Sequence, residues 1–360
     1  MKQIIKNILF TGLILGAVFF CIKYPAEIGF AVSISTDRCI NVIIPSMFIF
    51  MCLTSAAVST GIHNIISFPF IPAARYIFRL TPNQFGIFLL SMFSGYPAGI
   101  KLLADSHRRN EISEKEFERL SCFCFAGGPA FISGTVSGVL FPGTNAGTVC
   151  FISVTAGNLA AAFISGLFSA FPEKFSYKFR TEITAQNVIS STLSSAHAIF
   201  QMCVMIIAFG GLYRAAELSG TINCLCRYIS DLSGLSHADI SAIVSSFFEI
   251  SNIVTIPANS IELLPVIAFL LSFGGICVLI QVIVISGGLL NVRKFLLSRL
   301  FSAAVSAAVC RLISRFFDLG SADVFTPVTV HSGNGMLTAV LLLIMTVMLL
   351  SLSKNYGQSD

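Results

Sequence analysis

The chain has 360 residues, 55% hydrophobic and 11% charged, with a net charge of +5. Soluble domains carry about 25% charged residues, so this mixture excludes an ordinary soluble protein and requires lipid-facing surface. The basic residues are scattered along the chain and not interleaved with aromatic ones, which excludes a nucleic-acid groove.

Lys2 and Lys6 precede an apolar run at residues 8–22. No small-x-small cleavage pattern closes the run, so it reads as a first membrane helix with a cytoplasmic N-terminus. About 20 apolar residues cross the hydrocarbon core. Further spans are expected at residues 39–61, 147–171, 189–213, 295–317 and 336–352. Arg108, Arg109, Lys115, Arg119, Lys174, Lys178, Arg180, Arg293, Lys294 and Arg299 fall between apolar runs, as loop charges beside membrane segments do.

Three other apolar stretches are interrupted. Residues 85–104 contain Ser94, Gly95, Tyr96, Pro97, Ala98 and Gly99; residues 120–140 contain Gly127, Gly128 and Pro129; residues 262–288 contain Gly274, Gly275 and Gln281. A fourth stretch, residues 240–256, holds Glu249, Ser251 and Asn252, with Thr255 expected on the same helical face. Between the first two lies a charged interlude, residues 105–119, in which Ser113 and Glu116 form a capping-box pattern that predicts a short surface helix from Glu114. Gly134 and Gly138 have the spacing of close helix packing. The segment Phe88-Leu89-Leu90-Ser91 is echoed by Phe269-Leu270-Leu271-Ser272, a hint of the repeats from which many transporters are built.

The fold expected is therefore all-α, a polytopic transmembrane helical bundle with broken helices or re-entrant hairpins. It forms one membrane domain: residues 1–38 an anchor, 39–171 a first half, 172–188 a polar connection, 189–317 a second half and 318–360 a last membrane helix.

Broken helices survive in lipid only where protein or a water-filled cavity covers the freed backbone. Half-helix N-termini suit anions, and unwound carbonyls suit cations. Ser94, Gly95, Tyr96 and Pro97 offer a hydroxyl, open backbone and an aromatic face together. Lys101 either reaches the membrane interface or faces a cavity as the cation for an anionic solute. Pro129 can open a half-helix as its first residue. Glu249 is the sharpest single residue, because an ionisable group in a membrane is costly. It reads as a proton or sodium coupling site, as a carboxylate that accepts hydrogen bonds from the solute, or as a helix-end residue reaching water. The expected solute site thus comprises Ser94, Gly95, Tyr96, Pro97, Lys101, Gly127, Gly128, Pro129, Glu249, Ser251, Asn252, Gly274, Gly275 and Gln281. No catalytic motif, metal-ligand spacing or cofactor motif is present in the sequence, and its cysteines read as small buried hydrophobes. A small anionic solute, the lipid bilayer, a coupling ion and a second copy of the chain are the expected partners. The alternative is a non-transporting scaffold that recruits partners through residues 105–119.

The runs Ser94-Gly95-Tyr96-Pro97-Ala98-Gly99-Ile100-Lys101, Ile112-Ser113-Glu114-Lys115-Glu116 and Gly128-Pro129-Ala130-Phe131-Ile132-Ser133-Gly134-Thr135-Val136 resemble the sporulation integral membrane protein YlbJ family, of the nucleoside-recognition (Gate) group. Phe248-Glu249-Ile250-Ser251-Asn252 and the Ser272 to Val282 stretch resemble its second pair of motifs. The resemblance implies a fold related to the Gate domains of concentrative nucleoside transporters and a role in spore maturation in an endospore former. It also implies export of dipicolinate, a planar dianion suited to helix N-termini, Tyr96 and Lys101, across the outer forespore membrane. Two positions depart from the family pattern: Phe125-Ala126-Gly127 replaces a polar stretch, and Leu279 stands where a histidine is usual.

Overall fold

The computed structural model describes residues 2–171, 183–257 and 261–316. The expected span at 336–352, the basic residues at 174–180 and most of the polar connection lie outside them. The described residues form a helical bundle, with five stretches long and apolar enough to cross a membrane. The chain is an all-α polytopic membrane protein.

Helix α1 (Lys2–Lys23) leads into α2 (Pro25–Ser59), 35 residues without a break. The boundary expected at residues 38 and 39 falls inside α2, because Asp37 and Arg38 lower the local hydropathy without breaking the helix. The pitch widens over Cys39–Ile43, where Ile44 N donates to Cys39 O. Pro45 follows directly; a proline lacks the N–H and its ring crowds the carbonyl four residues back, so the ladder must shift there.

A short α3 (Ile62–Ser67) precedes α4 (Pro82–Ser94), α5 (Ala98–Arg108) and α6 (Glu114–Ser121). Ser113 and Glu116 cap α6 reciprocally, as expected, and Thr81 and Gln84 do the same for α4. Gln84 Nε2 also donates to Glu116 Oε1, joining the two helix starts. The interlude is thus folded onto the bundle, with Ile112, Phe117 and Leu120 buried beneath it.

Next come α7 (Pro129–Leu140), α8 (Ala146–Leu167), α9 (Ala185–Leu218), α10 (Thr221–Ser233) and α11 (His237–Phe248). A tight turn, Ile250–Thr255, leads to α12 (Leu264–Phe273), α13 (Gly275–Ile285) and α14 (Val292–Phe316). Helices α8 and α14 pack closely through Gly157: a Cβ there would lie 2.4 Å from the Ser302 carbonyl oxygen. The glycines expected to do this, Gly134 and Gly138, do not. A Cβ at Gly134 would meet nothing within 4 Å, and one at Gly138 only a carbonyl on its own helix at 3.9 Å.

The order of elements recurs. A long helix (α2), a hairpin (α4–α5), a broken span ending in α7 and a continuous span (α8) are followed by a long helix (α9), a turn-back after α11, a broken span (α12–α13) and a continuous span (α14). The short sequence echo does not mark this recurrence. It pairs the end of α4, a hairpin arm, with the end of α12, half of a broken span.

Candidate functional site

Three of the four interrupted stretches break at glycine or proline, and the third breaks at Glu249. Helix α4 ends at Ser94; Gly95 has φ +76°, and Tyr96-Pro97 is a cis peptide. A Cβ at Gly95 would lie 2.3 Å from Met47 and 3.3 Å from Gly128 N. Residues 122–128 form the second break, and Pro129 opens α7 in its first turn, as its fixed φ allows. A Cβ at Gly128 would sit 3.0 Å from Phe93 O and 3.2 Å from Gly95 N, so these two breaks lie back to back.

The closest approach to backbone is at Gly99, where a Cβ would meet the Cys124 carbonyl at 2.3 Å and the Ser91 Cβ at 2.9 Å. Backbone cannot yield as a flexible side chain does. Gly99→Ala is therefore expected to lower the yield of monodisperse protein in detergent severalfold, whereas Gly134→Ala, which fills open space, leaves it unchanged. Size-exclusion profiles of the two variants check this.

The third break begins at Glu249, whose backbone is extended (φ −140°, ψ 111°) and whose Oε1 accepts from Ser251 N at 3.0 Å. The fourth is Gly274-Gly275, both at positive φ. A Cβ at Gly275 would lie 3.3 Å from Ile250 N and from the Phe247 and Ser246 carbonyls, placing the third and fourth breaks in contact. Phe125 links the two pairs. Its ring would meet a Cβ at Gly274 at 2.5 Å, and it stacks on Tyr96 with centroids 5.1 Å apart. The four breaks therefore converge on one interior region.

At their junction is a void of about 10 Å³, lined by Met47, Tyr96, Phe131, Met202, Glu249 and Val278. Tyr96 is 3% exposed and Glu249 2%. Tyr96 Oη and Glu249 Oε2 have no hydrogen-bond partner among the described residues. A space of this size holds about one water molecule. Ser251 Oγ, Ser272 Oγ and Gln281 Oε1 are also buried without partners, while Gln281 Nε2 turns to Cys277 Sγ on its own helix at 3.3 Å. These atoms come from the same breaks but do not line the void.

Two expected positions differ. Lys101 is ion-paired with Asp105 at 2.7 Å, one helical turn on, so its charge is already engaged. Asn252 and Thr255 share a side that Ser251 does not: Ser251 is buried and Thr255 exposed. The turn is 3₁₀, in which residues three apart eclipse, so an α-helical face does not apply. Asn252 and Thr255 instead line a cleft of about 320 Å³ together with Glu27, Arg38, Arg214 and Glu217.

Two arginines complete the site, and neither was expected there. Arg38 donates to Asn252 Oδ1 and lies within electrostatic reach of Glu249, so α2 brings a cation to the third break. Arg299, grouped with the loop charges, is fully buried on α14. It donates to Phe125 O (2.9 Å), Asn158 Oδ1 (3.0 Å), Ser302 Oγ (3.2 Å) and Cys122 O. Asn158 Nδ2 adds a second bond to Phe125 O at 2.9 Å. Two of the carbonyls freed by the second break, those of Cys122 and Phe125, are thereby satisfied inside the bundle. A signal for Arg299 is present in the sequence: Phe295, Arg299, Ser302, Ser306 and Cys310 recur at helical spacing and form the buried stripe of α14.

Among known proteins, one 120-residue stretch is 33% identical to the sporulation integral membrane protein YlbJ of Bacillus subtilis (strain 168). The chain is related to YlbJ over that stretch. The match covers 33% of this chain and 29% of YlbJ, so less than a third of the relative's length is spanned. No protein-family model and no solved structure matches the chain. The YlbJ likeness agrees with the family indicated by the break motifs, and both YlbJ's printed name and the apolar helices describe an integral membrane protein.

Proposed function

We propose that this protein is a transporter for a small anionic metabolite, working through the junction of its four breaks. One observation carries the reading: Tyr96 Oη and Glu249 Oε2, from different halves of the chain, border one buried void, and neither has a hydrogen-bond partner among the described residues. Buried polar atoms left unpaired cost about 1–3 kcal/mol each, so their retention points to a partner that comes and goes. Arg38 supplies the positive charge an anion needs, and the cleft it lines with Arg214 is the approach. Glu249 beside Arg38 is the place for a coupling proton or sodium ion. The void is too small for an organic anion, so binding requires the breaks to separate. The described conformation is read as closed.

The resemblance to the YlbJ family extends this to a role in spore formation, a Gate-like fold of two related halves and dipicolinate as the solute, moved across the outer forespore membrane. The scaffold reading would place its partner on the exposed charges of the interlude, which buried Ile112, Phe117 and Leu120 hold against the bundle. Purified protein in liposomes is expected to carry dipicolinate down its gradient well above protein-free vesicles. Absence of flux for dipicolinate and for other small mono- and dicarboxylates, in vesicles holding folded protein, would remove the transport reading.

A further inference from the structure

A cleft far larger than the void at the breaks lies elsewhere in the bundle. It lies where α6, the end of α8 and the start of α14 meet, and encloses about 750 Å³. Its walls divide by chemistry. Lys115, Arg119 and Lys294, with the hydroxyls of Ser165 and Ser298, form one part; Ile164, Phe168, Leu297 and Phe301 form the other. Leu297 is 68% exposed on a helix long and apolar enough to cross the membrane, and Phe168, 88% exposed, directly follows the end of another. These apolar side chains therefore face acyl chains.

The geometry fits a lipid molecule seated at the membrane surface. Lys294 sits at the start of α14, and Phe301 is seven residues further along, about 10 Å deeper at 1.5 Å per residue. That is the step from a headgroup to the upper acyl chain. Arg119 is committed to Ser165 Oγ and to the Phe78 and Arg79 carbonyls, and Lys294 is paired with Glu118 at 2.9 Å, its side chain still 66% exposed. Lys115 is exposed on α6. Three cations against one carboxylate leave the polar wall positive.

We infer that this cleft binds an anionic phospholipid, with Lys115 and Lys294 holding the headgroup phosphate and Leu297 and Phe301 flanking an acyl chain. Basic pockets between transmembrane helices bind anionic headgroups in this manner. Cys122 also lines the cleft, and its carbonyl is one that Arg299 holds. The bound lipid therefore abuts the unwound segment that leads into the second break. This inference does not depend on the transport reading.

Native mass spectrometry of the full chain in detergent tests it, with equimolar phosphatidylglycerol and phosphatidylcholine of identical acyl chains as probes. Phosphatidylglycerol is expected to be retained preferentially, by roughly fivefold per lysine. Lys115→Gln with Lys294→Gln brings the two lipids to parity, while Arg227→Gln on α10 keeps the preference. Phe301→Ala lowers retention of both lipids together. Equal retention by the unaltered protein, or a preference that survives the double lysine variant, overturns the site. Retention unaffected by Phe301→Ala, or displacement of the lipid by millimolar glycerol phosphate, overturns the acyl contact and leaves only a phosphate site.

Discussion

Arg299→Leu is expected to destabilise the bundle by roughly 3 kcal/mol, because it orphans the Cys122 carbonyl and removes the charged donor to Phe125 O and Asn158. Leucine gains something by removing a buried charge. That gain is limited, since Arg299 lies seven residues into α14, where an arginine on an unpacked helix would snorkel to the surface. The lost hydrogen bonds win. The melting midpoint in detergent should fall by roughly 4 °C. Arg299→Lys should be intermediate, because an ammonium cannot span acceptors on residues 122, 125 and 158 as the planar guanidinium does. A midpoint unchanged in Arg299→Leu would show that the unwound segment stands without it.

The second large effect is expected at Glu249. Glu249→Ala leaves Ser251 N without its acceptor and Arg38 without its nearest carboxylate, and flux in liposomes should fall by roughly thirtyfold or more. Glu249→Gln separates two roles. The amide still accepts from Ser251 N but carries no charge, so the fold should be kept while any dependence on a proton or sodium gradient disappears. If the gradient dependence persists in Glu249→Gln, the side chain acts as a hydrogen-bond acceptor and not as the coupling site. Tyr96→Phe is the companion: it deletes an unpartnered hydroxyl, so stability should hold or rise while flux falls. Full flux in both Glu249→Ala and Tyr96→Phe would remove the junction from the pathway.

Much of this was legible because the local signals are strong. Glycines at positive φ and prolines that must end or open a helix locate three of the breaks to within a few residues, the polar run Glu249, Ser251 and Asn252 locates the other, and the Ser113–Glu116 capping box locates α6. Their convergence was not written locally. It depends on Phe125, a residue of unremarked type, meeting Tyr96 from one half and Gly274 from the other. The charges misled for a definite reason. Proximity to a span end is the usual mark of a loop cation, and Arg299 satisfies it in the sequence while turning inward in the fold. Arg38 sits in a hydropathy dip that looks like a loop but belongs to an unbroken helix. Lys101 looked available because its partner, Asp105, was read as part of the charged interlude and not as the next turn of the same helix.

The two long helices have a consequence for how a solute first meets the protein. At 1.5 Å per residue, α2 and α9, of 35 and 34 residues, measure about 52 and 51 Å, while the hydrocarbon they cross is about 30 Å thick. Ordinary tilts do not absorb that excess, so the pair stands proud of the bilayer. The ends that carry Glu27 on α2 and Arg214 and Glu217 on α9 are the charged ones. They form a raised collar in water around the cleft. On the transport reading proposed above, charge of both signs at the collar would admit hydrated ions with little selection, and sorting would begin about 16 Å further in, at Arg38. Discrimination between anions would then be a property of the throat, and changes to the collar should alter how fast solutes arrive more than which ones pass.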